Sequence, residues 1–246
     1  MSHPPATSST DNDVQVRTLL RGLPSLKGPY EPVDWAAFPA TPQVAFVNWL
    51  RDAIAATEAN ARPYEPHAMT VSTVDAEGFP DARVLILKNV DARGWHFAAK
   101  ADSPKGRQLQ ANPACALTFY WSPLGRQVRI RGKARLLPAE ERAADFLARP
   151  IASRVSALAS PQSEVMSSDE TAAKEELVRR TREAQALFDE DPDYVSPGWY
   201  LYVLNPTEVE FWQGAEDRQH GRLRYVRIEN ESGPVPPTWK KESLWP

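Results

Sequence analysis

Cysteine is almost missing from this 246-residue sequence: Cys115 is the sole one, so no internal disulfide framework can form. Its place in the apolar run 114–121 marks it as a small buried hydrophobe, and a reducing cytoplasm is the expected compartment. Charge of one sign is missing too. Lys and Arg number 29 against 32 Asp and Glu, for a net charge of -3, and without a basic field the chain is not expected to bind nucleic acid or a membrane surface. No stretch reaches the ~18 consecutive apolar residues of a bilayer span. The first five residues carry neither the basic nor the apolar part of a secretory signal. The histidines His3, His67, His96 and His220 stand apart, none at a metal-site spacing, so no metal is expected. Phosphate loops of the Walker type, G-x-S-x-G elbows and internal repeats are all absent.

The sequence does hold a 42% hydrophobic content, enough for a core in one domain. Residues 1–25, rich in Ser, Thr, Pro and Asp, read as a disordered N-terminal tail, and 26–246 as a single domain. Thr41-Pro42 opens a helix over about 42–60, which Pro63 and Pro66 end. Residues 69–74, 81–88 and 95–99, separated by the turns Asp75–Gly78 and Asp91–Gly94, read as a three-strand antiparallel meander. Ser103-Pro104 caps a short helix to Ala111, and strands follow over 114–121 and 127–137. Then come a helix over 138–148, a longer one from Ser167 or Ser168 to Phe188 with Ser167 and Glu170 as a capping box, and three strands over 199–204, 207–213 and 223–228. Short strands with helices at intervals, and no βαβ alternation, indicate an α+β fold around an antiparallel sheet or barrel. Eight tryptophans suit a core or a large apolar interface.

Two strands carry the chemistry. Residues 83–88, Arg-Val-Leu-Ile-Leu-Lys, read as a strand buried on both faces with a cation at each end, which suggests an anionic ligand. Arg83 and Lys88 are five apart and so point to opposite faces of a regular strand, unless a bulge re-aims one or the strand meets its ligand edge-on. In 127–137, Val128, Ile130, Gly132, Ala134 and Leu136 alternate with Arg129, Arg131, Lys133 and Arg135. That basic face is either a solvated exterior or the wall of a ligand cleft or dimer interface.

Taken in order with Ser103-Pro104-Lys105-Gly106-Arg107, Gly125-Arg126-Gln127-Val128, Arg149-Pro150 with Ser153, Pro161-Gln162-Ser163, Val209-Glu210-Phe211-Trp212-Gln213-Gly214 and Asp217-Arg218-Gln219-His220-Gly221-Arg222-Leu223, the sequence over about 45–246 resembles the pyridoxamine 5'-phosphate oxidase family, which includes the flavin oxidases of phenazine biosynthesis. The resemblance implies an antiparallel FMN-binding split β-barrel with peripheral helices, a homodimer with FMN at the subunit interface, and oxidation of pyridoxine or pyridoxamine 5'-phosphate by dioxygen. It further implies that Arg83 and Lys105 bind the FMN phosphate, that Lys88 and Gln127 meet the ring edge, that Gln162 and Ser163 reach in from the neighbouring subunit, and that Trp212 and Arg222 complete the cofactor site. Lys88, Arg149 and Ser153 are implied on the substrate, with Arg218 and His220 over the substrate ring as the catalytic pair.

Three departures stand out. The vitamin enzymes carry a tyrosine four residues before Arg149, where this chain has Asp145; a hydroxyl-bearing pair is replaced by Ala98-Ala99; and the C-terminal Ser243-Leu244 lacks the usual arginine before leucine. Asp145 is expected either to pair with Arg149 or to face solvent. The phenazine branch also lacks that tyrosine, but lacks the lysine at Lys88 as well. A related oxidase of a non-vitamin ring such as a dihydrophenazine, or a non-catalytic FMN- or pyridoxal-phosphate-binding protein, are the alternatives.

Overall fold

A computed structural model describes residues 9–58, 64–228 and 237–246, with side chains described from residue 15 onward. Helices α1 (Ser9–Gly22) and α2 (Pro42–Glu58) come first. Within the expected tail, α1 is helical with its apolar residues Leu19 and Leu20 exposed, and the composition offers no burial signal to predict that helix. The rest of the expected tail, residues 1–8, and the expected stop at Pro63 lie outside the described residues.

The meander forms as expected, with β1 (Ala68–Val74), β2 (Pro80–Asp91) and β3 (Gly94–Lys100) paired antiparallel. After α3 (Pro104–Ala111), whose Ser103 cap accepts a hydrogen bond from Gly106 N at 3.2 Å, come β4 (Ala114–Trp121) and β5 (Arg126–Leu136). Helices α4 (Ala139–Leu147), α5 (Ile151–Ala159) and α6 (Glu170–Glu190) precede β6 (Trp199–Gln213), β7 (Gly221–Ile228) and β8 (Thr238–Ser243). Neither α5 nor β8 is among the expected elements. The cap of α6 is Asp169, whose Oδ1 accepts from Thr171 N and Ala172 N at 2.9 and 3.2 Å, rather than Ser167.

Strand order is β3-β2-β1-β4-β5-β6-β7-β8, and a further β3–β6 pairing closes the first six into an antiparallel barrel. Where two strands are expected over 199–213 there is one. β6 pairs with β3 through Trp199–Leu204 and with β7 through Glu208–Gln213, while β5 runs along its other edge. Pro206, which has no N–H to give a ladder, lies where the partner changes, and the β5 register slips there between Arg131 and Gly132.

Inside the barrel, α2 inserts Phe46 among Trp95, Phe119 and Trp121, with ring centroids 4.8 to 5.9 Å apart, and Trp49 against Phe211. Fully burying each such ring contributes about 2–3 kcal/mol. The expectation that β2 is buried on both faces is corrected within one chain. Leu85 and Leu87 pack on the core, whereas Val84 on the opposite face is 66% exposed. The basic face of β5 points away from the core and meets glutamates of β6, Arg129 to Glu210 at 3.5 Å and Arg131 to Glu208 at 4.0 Å.

Candidate functional site

The first cluster gathers at the start of β6. Arg83 donates from Nη1 to Thr73 Oγ1 at 2.6 Å and to Val71 O at 3.2 Å, and pairs through Nη2 with Asp81. Lys105, in the first turn of α3 and only 6% exposed, donates to Gln162 Oε1 at 2.6 Å. Burial, reinforced by the charges of Arg83 and Lys100, pushes the Lys105 pKa down to about 8. A bound anion would offset that cost.

Lys88 occupies a bulge. The β2–β3 register runs Leu87↔Phe97 and then Asn89↔His96, leaving Lys88 as the extra residue, so the strand is re-aimed between Arg83 and Lys88 as the bulge alternative requires. Lys88 Nζ lies 3.5 Å from Asp145 Oδ1, and Asp145 Oδ2 accepts from Trp199 Nε1 at 2.8 Å. Neither expected position of Asp145 is found: it does not ion-pair with Arg149, and its side chain is only 15% exposed. The Trp199 indole engages both instead, its N–H holding the Asp145 carboxylate while Arg149 lies over its ring face. The Arg149 guanidinium stacks 4.0 Å over the Trp199 ring, and Arg149 Nη1 is buried with no hydrogen-bond partner. Burial lowers the Arg149 pKa, and the nearby Asp145 charge opposes that shift.

α4 is held in place from both ends. Arg93, in the β2–β3 turn, forms a two-point bridge to Glu141 at 2.7 and 2.8 Å, and Phe146 is fully buried beside Phe188 and Trp199. A cavity of about 270 Å³ opens among Ala98, Ala99, Lys100, Lys105, Arg149 and Trp199. The alanine pair that departs from the family pattern is thus a wall of this cavity. Ser153 lies one turn into α5, outside the cavity wall; Ser163, at φ 67°, lines the adjoining groove beside α6. Trp199 and Lys100 were missed by sequence reasoning, because only the tertiary fold sets an isolated tryptophan under Arg149.

The second cluster lies at the other end of β6. Gln127, Trp212 and Arg222 are directly paired across β5, β6 and β7 and so share one outer face. Trp212 Nε1 and Arg222 Nε are buried without partners, while Arg222 Nη1 donates to Glu210 Oε1 at 2.8 Å. His220 packs 5.1 Å from the Trp212 ring and accepts at Nδ1 from Ala215 N at 3.0 Å, which leaves the proton of the neutral imidazole on Nε2. Arg218 is exposed in the same loop with a left-handed φ of 68°. A larger cavity, about 510 Å³, borders this loop and is walled on its far side by Pro29–Trp35, which seats Tyr30 on Gly125 and Trp35 on Gly221.

Trp199 and Trp212 are thirteen positions apart along β6, roughly 40 Å of strand. One chain therefore brings Arg83, Lys88, Lys105, Arg149 and Gln162 together, and Gln127, Trp212, Arg218, His220 and Arg222 together, but keeps the two sets apart. Gln162, expected to reach its site from a neighbouring subunit, here bonds Lys105 of its own chain. Among the described residues, no group of three or more His, Cys, Asp or Glu side chains could hold a metal ion, and no helix is long and apolar enough to cross a membrane.

Residues 55–188 match the family model described as pyridoxamine 5'-phosphate oxidase, and residues 199–246 match the pyridoxine 5'-phosphate oxidase C-terminal dimerisation region, which supports homodimerisation. The pyridoxine/pyridoxamine 5'-phosphate oxidase of Pseudomonas putida (strain GB-1) is 41% identical over 211 residues, covering 86% of this chain and 91% of that one. Its counterpart in Bordetella petrii is 43% identical over 187 residues, covering 76% and 83%. Among solved structures, PhzG from Burkholderia lata 383, in complex with tetrahydrophenazine-1-carboxylic acid, superposes with a TM-score of 0.75 at 28% identity, over 89% of this chain and all of that one. An FMN-binding protein from Nostoc punctiforme, 18% identical with a TM-score of 0.61, shares the fold. A six-strand split barrel ending in a dimerisation region, and sequence identity sustained over most of both chains, lead to one assignment: this protein is an oxidoreductase that belongs to the pyridoxamine 5'-phosphate oxidase family.

Proposed function

We propose that the protein is an FMN-dependent oxidase that converts pyridoxine or pyridoxamine 5'-phosphate to pyridoxal 5'-phosphate with dioxygen as acceptor, in a homodimer whose sites each draw on both chains. The observation that carries this reading is Arg149: its guanidinium stacks on Trp199 and keeps a buried Nη1 without a partner, and its side chain lines a cavity that also holds Lys100 and Lys105. Such a donor is costly unless an anion meets it.

The residues fit FMN. Arg83 and Lys105 suit its phosphate, Lys88 and Gln127 its polar ring edge, and the partnerless donors of Trp212 and Arg222 its remaining acceptors. When bound, FMN supplies the two-electron acceptor. The chain anchors the substrate anion with Arg149 and Lys88, and lays Arg218 and His220 over the ring from the second copy, with the proton of the neutral His220 held at Nε2. This division follows the chain. Trp212, Arg218, His220 and Arg222 all fall in the segment matched to the dimerisation region, so the element that recruits a second copy also carries the second cluster. Gln162 and Ser163 then serve the site of their own chain.

A second reading, oxidation of a carboxylated non-vitamin ring such as a dihydrophenazine, is favoured by the Lys88–Asp145 contact. Anaerobic mixing of the flavin-loaded protein with each ring separates the readings. Pyridoxine and pyridoxamine 5'-phosphate are expected to bleach the flavin absorbance, and admitted dioxygen to restore it with release of peroxide. Bleaching by the dihydrophenazine alone selects the second reading; no bleaching by any ring leaves a binding protein without turnover.

Lys105 adds a pH dependence. An anion beside it favours the charged amine, and in the free protein that amine is protonated only below about 8, so FMN affinity should be constant to pH 7 and fall as pH rises through 8, by up to about tenfold per unit. Titrating apoprotein with FMN from pH 6.5 to 9.5 checks this, with K105M expected to give a weaker, flatter profile. A flat profile in the unaltered protein would remove Lys105 from phosphate binding.

A further inference from the structure

The contacts of Asp145 bear on which anion the Arg149 pocket accepts, an inference that rests on the reading of that pocket as the substrate anchor. Arg149 lines this cavity with Lys100 and Lys105, and Asp145, 3.5 Å from Lys88, sets one negative charge close to Arg149. The carboxylate cannot swing clear without loss. Its Oδ2 is held by Trp199 Nε1 at 2.8 Å, Trp199 packs against both Arg149 and Phe146, and Oδ1 faces Lys88 at 3.5 Å. Lys88 thus already has a counter-charge, whereas Arg149 Nη1 is buried without a partner. At a given distance the Asp145 carboxylate, only 15% exposed, repels a phosphate dianion at Arg149 about twice as strongly as it repels a single carboxylate. A tyrosine at position 145, as in the vitamin enzymes that the sequence resembles, would bring no such charge.

We propose that Asp145 is a specificity-determining positioning residue: through Lys88 and Trp199 it sets the pocket to disfavour a ring phosphate dianion relative to a ring carboxylate. It need not touch substrate. It takes up the charge of Lys88 and fixes the indole on which Arg149 lies, so its effect should fall on ligand discrimination rather than on the flavin.

The test measures equilibrium binding to the flavin-loaded protein at pH 8, where a phosphate monoester is a dianion, using pyridoxal 5'-phosphate and phenazine-1-carboxylate as probes and calorimetry as readout. D145N should tighten pyridoxal 5'-phosphate about tenfold and change phenazine-1-carboxylate less than about threefold. D145E, which restores the charge, should return the ratio of the two affinities toward that of the unaltered protein. Parallel shifts of both ligands in D145N, as a purely structural role would give, overturn the proposal. So does an unchanged ratio, a D145E ratio equal to that of D145N, or failure of every variant to bind either probe. The proposed reaction is judged separately: absence of flavin bleaching by any ring, with the D145N split intact, would remove the reaction and leave this inference standing.

Discussion

Replacing Arg149 by Leu is expected to lower kcat/KM for pyridoxamine 5'-phosphate by about 10²- to 10³-fold while the protein keeps its flavin. Leucine retains apolar contact with Trp199 and Phe146, so α4 should stay in place, but it removes the one guanidinium edge in the pocket that is buried and free. Truncating one side of a buried charge-assisted contact typically costs ~3–4 kcal/mol, and each ~1.4 kcal/mol is tenfold in rate. Because the contact would be made in both the bound ground state and the transition state, most of the loss should appear in KM. R149K separates charge from shape. A point charge without the planar fork, and without its stacking on the indole, should recover only about tenfold. Steady-state kinetics with flavin content measured in parallel checks both variants. A value within threefold of the unaltered enzyme for R149L would place the substrate anion elsewhere.

What was legible in the sequence was local. The meander, the Ser103 cap and the alternation along β5 follow from periodicity and turn chemistry within ten residues, and all three stand in the structure. The strand geometry of 83–88 even posed its own problem, since Arg83 and Lys88 could not share a side without a bulge, and the bulge falls at Lys88. The rest depended on partners far along the chain. The gap expected between strands 199–204 and 207–213 is closed, because β5 carries β6 past Pro206 on the other edge. Asp145 could be weighed against Arg149 four residues away, yet not against Trp199, 54 residues on, which takes its carboxylate. The candidate residues were read in order as one site. That order hides the length of β6, which puts Arg149 beside one of its ends and Trp212 beside the other.

That separation makes the shared site testable by complementation. One chain carries R83M with K105M and so lacks the phosphate-side cluster; the other carries W212F with R222M and lacks the opposite cluster. Neither substitution pair touches the barrel core, where Phe46, Trp95 and Phe119 pack. Each altered homodimer has two defective sites and should retain little FMN. In a mixed dimer one site receives both altered clusters and the other receives none, so random pairing, with half of the dimers mixed, should restore about a quarter of the FMN binding and oxidase activity of the unaltered protein. The decisive measurement is FMN bound per chain after the two variants are unfolded together, refolded and compared with each refolded alone: recovery to about a quarter is the predicted result, and a mixture no better than its separate components, with mixed dimers shown to form, would contradict a site built from two copies of this chain.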